Sequence, residues 1–196
     1  MPEALIPGCY YHIYNRGTNG ENIFREDRNY RYFLKLYTQY IEPVAETFAY
    51  CLLANHFHIF SKIRDEETLN TSDDPIIFVS KQYATFFGTY AKAINKGYGR
   101  TGSLFEHPFE RKLVDNGRYF TTLIIYIHRN PQTHGFVDDF RDWPWSSYGT
   151  VLVDKPTQLC RNETVDWFDG RDAFMDAHIR DVDEYLIEPL IVDYFV

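Results

Sequence analysis

Two apolar runs, residues 47–53 and 56–63, stand only two residues apart, with Ala54-Asn55 between them. A break that short joins antiparallel neighbours and leaves no room for a crossover, so the pair predicts a β-hairpin with a tight turn. The hairpin organises the rest of the pattern. Upstream, the aromatic run of residues 10–15 is punctuated by Arg16-Gly17-Thr18-Asn19-Gly20, which reads as a strand and a turn. Residues 26–41 carry Tyr30, Phe33, Leu34, Tyr37 and Ile41 at helical spacing and stop before Pro43.

Downstream, residues 65–75 are polar and acidic, a loop. Residues 76–94 repeat the helical spacing (Phe78, Val79, Tyr83, Phe86, Phe87, Tyr90), with Gly97 and Gly99 as the stop. Residues 103–114 hold a short extended piece. A third helix follows, capped by Asp115 or Asn116, with Tyr119, Phe120, Leu123, Ile124 and Ile127 as its stripe and Pro131 as its limit. The order β-α-β-β-α-β-α predicts an α+β, ferredoxin-like antiparallel sheet with helices on one face. Beyond it the chain reads as irregular and Trp-rich. The expected division is a domain over 1–150 and an acidic extension over 151–196 packed on it.

Within the hairpin, His56 and His58 are two apart on a strand placed centrally in this sheet, so both imidazoles project from one face. Phe57, Ile59 and Ile63 take the other face, under the helices. Two convergent imidazoles make part of a divalent-metal site, although a bare pair is more often a pair of surface or hydrogen-bonded histidines. Tyr126 and Asn130 stand four apart, on one face of the third helix. Phosphodiester cleavage needs a nucleophile, an electrophilic metal and a basic cradle for the strand. Tyr126 can be the first, with His56, His58 and Asn130 holding the second. Tyrosine is a poor nucleophile unless its deprotonation is assisted, but it leaves well, which suits reversible cutting and joining.

The formal net charge of −8 argues against a nucleic-acid partner until its distribution is seen. Through Val137 there are 15 basic and 14 acidic residues; from Asp138 onward there are 5 and 14. Lys92, Lys96, Arg100, Arg111, Lys112 and Arg129 are candidate phosphate contacts, together with Arg16, although such a run is also the pattern of a solvated face. The 16 Tyr and 16 Phe leave base stacking open. For Trp143 and Trp145, packing of the last segment onto the core is the favoured role. Three scattered cysteines argue against a disulfide framework or a thiolate zinc site, and no run is long and apolar enough to span a membrane. A cytoplasmic protein is expected.

The run Ala49-Tyr50-Cys51-Leu52-Leu53-Ala54-Asn55-His56-Phe57-His58-Ile59-Phe60 resembles the HUH-motif hairpin of single-tyrosine insertion-sequence transposases. Tyr126-Ile127-His128-Arg129-Asn130-Pro131, with Asp142-Trp143-Pro144-Trp145-Ser146-Ser147-Tyr148, resembles the catalytic helix and following segment of the REP-associated tyrosine transposases. Residues 11–17 and 103–112 are similar to two further signatures of that family, in the same order. Departures are Ala54 for a frequent proline, Gln132-Thr133 after Asn-Pro, and Glu106-His107-Pro108 where glycine and basic residues are common. The resemblance implies His56 and His58 as metal ligands and Asn130 in the position of the third. It implies Tyr126 as the nucleophile that forms a 5′-phosphotyrosine link, Mg²⁺ or Mn²⁺ as the metal, hairpin-flanked single-stranded DNA as substrate, and a homodimer. The alternatives are a non-catalytic single-strand-binding relative and a small metal-dependent phosphoesterase.

Overall fold

The computed structural model describes residues 3–106, 108–180 and 188. His107 of the 103–112 signature, and all of the acidic extension beyond Arg180 except Glu188, lie outside the described residues. The sheet has four antiparallel strands: β1 (Tyr10–Arg16), β2 (Ala45–Leu52), β3 (His56–Ile63) and β4 (Glu110–Leu113). Their order is β2-β3-β1-β4, so the HxH strand lies inside the sheet. With α1 (Asp27–Tyr40) between β1 and β2, and α2 (Pro75–Tyr98) between β3 and β4, this is the ferredoxin-like arrangement that the element order predicts.

Local chemistry explains the ends of these elements. At the start of α1, Glu26 and Asn29 form a reciprocal capping box. Asp74 caps α2 by accepting from the Ile77 amide, and Pro75 fills the first helical position, where no N–H is needed. The sequence expectation ended this helix near Ile94, but it runs through Gly97 and stops at Gly99, whose left-handed φ of 62° closes it. Gly17 is forced by crowding: a Cβ there would meet the Glu21 carbonyl oxygen at 2.0 Å. The turn that follows holds Asn19 and Gly20 at positive φ.

One face of the sheet carries Tyr11, Ile13, Phe57, Ile59 and Ile63 against Phe33, Tyr83, Phe86, Phe87 and Tyr90 of α1 and α2. The rings interlock: Phe57 stacks on Phe87 at 5.5 Å, and Phe33 meets Tyr90 edge-on at 5.1 Å. The other face is covered by α3 (Arg118–Thr133), α4 (Tyr148–Leu152), α5 (Arg161–Asp166) and α6 (Arg171–Ile179). Helices on one face are therefore right for the ferredoxin-like unit, but the remainder of the chain closes the other face. Within the described part of the stretch expected to be irregular, three short helices form, α4, α5 and α6.

Two expectations about α3 are corrected. It begins at Arg118 with Gly117 in the cap position, beyond Asp115 and Asn116. It also continues past Pro131 to Thr133. A proline in the last turn forfeits one backbone bond, and the turn is closed by His134 N–H to Asn130 O (2.9 Å) and Phe136 N–H to Pro131 O (2.8 Å). The Trp143–Ser147 stretch runs along the outer edge of β2. Leu52 N–H donates to Trp145 O and Ser147 N–H to Tyr50 O, each at 2.9 Å. Trp145 stacks on Tyr30 at 4.5 Å, so both its backbone and its ring serve packing, as favoured from the sequence.

Candidate functional site

Alternation along β3 turns His56, His58 and Phe60 to the face covered by α3. The register of β1 aligns His12 with Phe60, Tyr14 with His58 and Arg16 with His56, so these side chains share that face. Tyr126 reaches the same place from α3, its ring 5.5 Å from that of His58 and 6.4 Å from that of His12, both edge-on. All three histidines, Tyr126 and Asn130 are buried. The structure thus brings together the four residues that sequence reasoning singled out, and adds a third histidine from β1.

Hydrogen bonds bear on the tautomers of the imidazoles. Asn55 Oδ1 accepts from His56 Nδ1–H at 2.7 Å, which leaves the lone pair on Nε2. His58 Nδ1 and His12 Nε2 are 3.0 Å apart. When His58 donates in that pair, its lone pair also sits on Nε2, a buried nitrogen with no hydrogen-bond partner among the described residues. Burial pushes His56 down from the usual 6.5 to about 3; nearby His134 adds to the fall and the Asn130 side chain draws it partly back. His58 is driven well below its ordinary value by burial, then by His12. Both rings are therefore neutral at pH 7, the form that donates to a metal.

Asn130 donates from Nδ2 to the Tyr126 carbonyl at 3.0 Å, one turn back on its own helix. Its nitrogen is thereby occupied, and its buried oxygen lacks a hydrogen bond of good geometry. Among the described residues no three His, Cys, Asp or Glu side chains converge as a metal-holding group, and the Asn130 side chain stands against His56 as a further oxygen donor. Two Nε2 lone pairs and an amide oxygen, each backed by a hydrogen bond on its far side, fit a divalent ion with positions left over for substrate oxygens.

The basic residues do not form the single cradle that their closeness in sequence suggested. Arg16 is at the histidine pocket, paired with Glu106 at 2.8 Å. Lys112 aligns with His12 and shares its face. Arg129 lies on α3, donating to the Arg180 carbonyl at 3.1 Å. Lys92 and Lys96 are exposed on α2, across the sheet. Arg100 follows that helix and is held by Glu21 at 2.6 Å. Arg111 aligns with Ile13, away from the histidines, and its guanidinium lies over Phe109 at 4.6 Å.

Sequence reasoning missed Asn55, which orients His56, and His134, whose ring lies 4.8 Å from that of His56. It left His12 and His128 without roles. His12 has a legible signal, its place in the Tyr10-His12-Tyr14-Arg16 alternation. Buried His128 joins Ser147 Oγ at 2.7 Å and His178 Nε2 at 2.8 Å, tying α3 to the β2 edge and to α6.

Comparison with known proteins agrees with this geometry. A protein of Haemophilus influenzae named as a REP-associated tyrosine transposase is 25% identical over 105 residues, 53% of this chain and 58% of that protein. The match thus spans less than two thirds of that relative's length. A solved structure of a REP-associated tyrosine transposase bound to a REP hairpin superposes with a TM-score of 0.60 at 16% identity, covering 80% of this chain and 87% of that one. A bacterial tRNA(His) guanylyltransferase-like protein in complex with ATP reaches a TM-score of only 0.45 at 8% identity, too low to carry weight. No family model matches the chain. The chain is related in sequence to one REP-associated tyrosine transposase and shares the fold of another, in line with the resemblance read from its motifs.

Proposed function

We propose that the chain is a metal-dependent DNA strand transferase that cuts and rejoins single-stranded, hairpin-flanked DNA through Tyr126. The observation that carries this reading is the convergence of Tyr126, from a helix, on the paired imidazoles of His56 and His58, from the inside of the sheet. A binding module has no use for a neutral imidazole pair, an amide oxygen and a buried tyrosine in one pocket. A hydrolase acting through metal alone has no use for the tyrosine.

In this reading His56, His58 and Asn130 would hold Mg²⁺ or Mn²⁺. The ion, when bound, draws charge off the scissile phosphate and polarises it toward attack. The Tyr126 hydroxyl gives up its proton to water and its oxygen bonds to phosphorus. The bond from phosphorus to the 3′-oxygen breaks, and that oxygen leaves as a 3′-hydroxyl after taking a proton. The 5′-phosphate stays esterified to Tyr126 until another 3′-hydroxyl attacks and restores the phenol. Asn130, bonded to the Tyr126 carbonyl, couples the third donor rigidly to the nucleophile's own helix turn. Arg16, Lys112 and Arg129 lie on this side and would contact the strand's backbone. A homodimer in the cytoplasm, the domain split at residue 150 and packing of the extension on the same domain belong to the same reading. Among the described residues no helix is long and apolar enough to cross a membrane.

The test is incubation with single-stranded DNA hairpins and Mn²⁺, followed by a denaturing gel. A covalent protein–DNA adduct is expected, lost in Tyr126→Phe and on chelation. An adduct that persists in Tyr126→Phe, or turnover with no adduct on any hairpin, overturns the reading.

A further inference from the structure

The back of α3 holds buried titratable side chains that the cutting chemistry does not use. Tyr126 and Asn130 leave this helix toward His58 and His56. His128, midway between them, leaves it about 200° around from Tyr126, at roughly 100° per residue. His128, Ser147 and His178 are each 0% exposed. They form one unbroken chain of hydrogen bonds. The Phe174 carbonyl can only accept, so His178 donates to it from Nδ1 at 2.7 Å. In a neutral ring that leaves His178 Nε2 as an acceptor, and His128 donates to it from Nδ1 at 2.8 Å. His128 Nε2 then accepts from Ser147 Oγ at 2.7 Å, and Ser147 Oγ accepts from the Tyr50 amide at 2.8 Å. Burial keeps both rings neutral, driving His128 well below the ordinary 6.5 and His178 to about 4. The chain therefore has one direction, and it joins α6, α3 and the outer edge of β2.

Around His178 the surroundings are aromatic: Phe140, Tyr148, Phe168 and Phe174 enclose it, the last with its ring 4.2 Å away. An apolar side chain would fill that cage without the cost of burying polar groups. What the polar chain adds is position. Packing holds a helix against its neighbours, whereas a fully satisfied set of bonds with defined lengths and angles also fixes its rotation and its axial setting. His128 is two residues from Tyr126 and two from Asn130, so a rotation of α3 that breaks this chain displaces both. Displacing a reacting group by about 1 Å costs on the order of 100-fold in rate. One residue along, the Arg129 guanidinium ties the same helix to the Arg180 carbonyl at 3.1 Å, just past the end of α6. We infer that His178 is a positioning residue for strand transfer: from α6, through His128 and Ser147, it sets the rotation of α3 and with it the aim of Tyr126 and Asn130 at the paired histidines. The inference rests on the strand-transfer reading. It gives α6 a part in the chemistry without contact to DNA or metal.

The experiment measures the single-turnover rate of adduct formation by the full-length protein with a labelled single-stranded DNA hairpin and saturating Mn²⁺. Hairpin affinity is read beside it by fluorescence anisotropy in the Tyr126→Phe background, and rates are taken per folded protein from circular dichroism. His178→Phe keeps a ring in the cage but leaves His128 Nδ1–H without its acceptor. It is expected to slow the adduct about 10- to 100-fold while affinity stays within about twofold. His178→Gln, whose amide oxygen can accept from His128, should return most of the rate. Ser147→Ala breaks the chain at the β2 edge and should give the same split, so the test stands where one variant fails to fold. Phe168→Leu loosens the cage and leaves the chain alone; its melting temperature should fall with the rate within about twofold of wild type. Amide hydrogen exchange supplies a readout apart from activity: His178→Phe should speed exchange along α3 and leave α1 and α2 unchanged. A rate in His178→Phe near that of wild type, a loss of affinity as large as the loss of rate, or a Phe168→Leu variant as slow as His178→Phe overturns the inference. No adduct in wild type removes the strand-transfer reading and this inference with it, whereas a wild-type adduct that forms equally fast in His178→Phe removes this inference alone.

Discussion

The two faces of the sheet are made by the same strands and do opposite things. On one, Phe57, Ile59 and Ile63 of β3 meet the interlocked rings of α1 and α2, with burial and ring geometry supplying the stability. On the other, the alternate residues His56 and His58 sit beside His12 and Tyr126, buried and neutral. Burying polar rings without full hydrogen bonding costs free energy, and that cost is tolerated where the opposite face is well packed. A period of two lets one strand carry scaffold and chemistry with no residue serving both.

The comparison breaks most sharply on function. Tyr126→Phe is expected to abolish the covalent adduct while leaving the melting temperature within a few degrees, since only a hydroxyl is removed. A large loss of stability in that variant would mean that the tyrosine belongs to the scaffold. The reciprocal change is Phe57→Ala, which deletes a ring packed on Phe33 and Phe87. It should cost about 3–5 kcal/mol in urea unfolding. A cost under 1 kcal/mol would show that the apolar face does not carry the fold.

What the sequence revealed follows the same division. The hairpin, both ferredoxin-like helices and the shared face of His56 and His58 were readable because strand and helix periods are local. Tyr126 and Asn130 could be placed on one helix face for the same reason. The partner of His58 was not readable, because facing His12 depends on the register of β1 against β3, set by contacts 46 residues apart in sequence. The basic residues misled, since closeness along the chain says nothing about which side of a sheet each one reaches: Lys92 and Lys112 end on opposite faces. The short helices α4 to α6 carry too few turns for a clear stripe and are held by tertiary contacts, Phe174 and His178 against α3 among them.

The histidine-bearing side should also be the acid-sensitive one. His178, which docks α6, is brought down by burial from 6.5 to about 4, with the Phe174 carbonyl opposing and Arg129 reinforcing the fall. A depressed histidine is protonated more readily in the unfolded chain. Its contribution is therefore complete above pH 6.5 and is lost as pH falls from there to 4, about 3 kcal/mol in all. His178→Phe should flatten that part of the urea midpoint's pH dependence. An unchanged slope between pH 6.5 and 4 would assign the acid sensitivity elsewhere.

The smallest expected effect tests whether the third histidine belongs to the chemistry or only to the packing. His12 stands behind His58, its Nε2 3.0 Å from Nδ1, on the side away from the nitrogen assigned to the metal. Such a partner fixes the tautomer and aim of a ligand without touching the ion, and its loss typically weakens metal affinity 10- to 100-fold. His12→Phe keeps the ring volume and removes the acceptor, so Mn²⁺ binding by calorimetry should weaken by about that factor while unfolding in the absence of metal stays nearly constant. His12→Gln, which can still accept from His58, should recover part of the affinity. If both variants bind Mn²⁺ as wild type does, His12 is scaffold after all, and the boundary between the two functions runs along β3 alone.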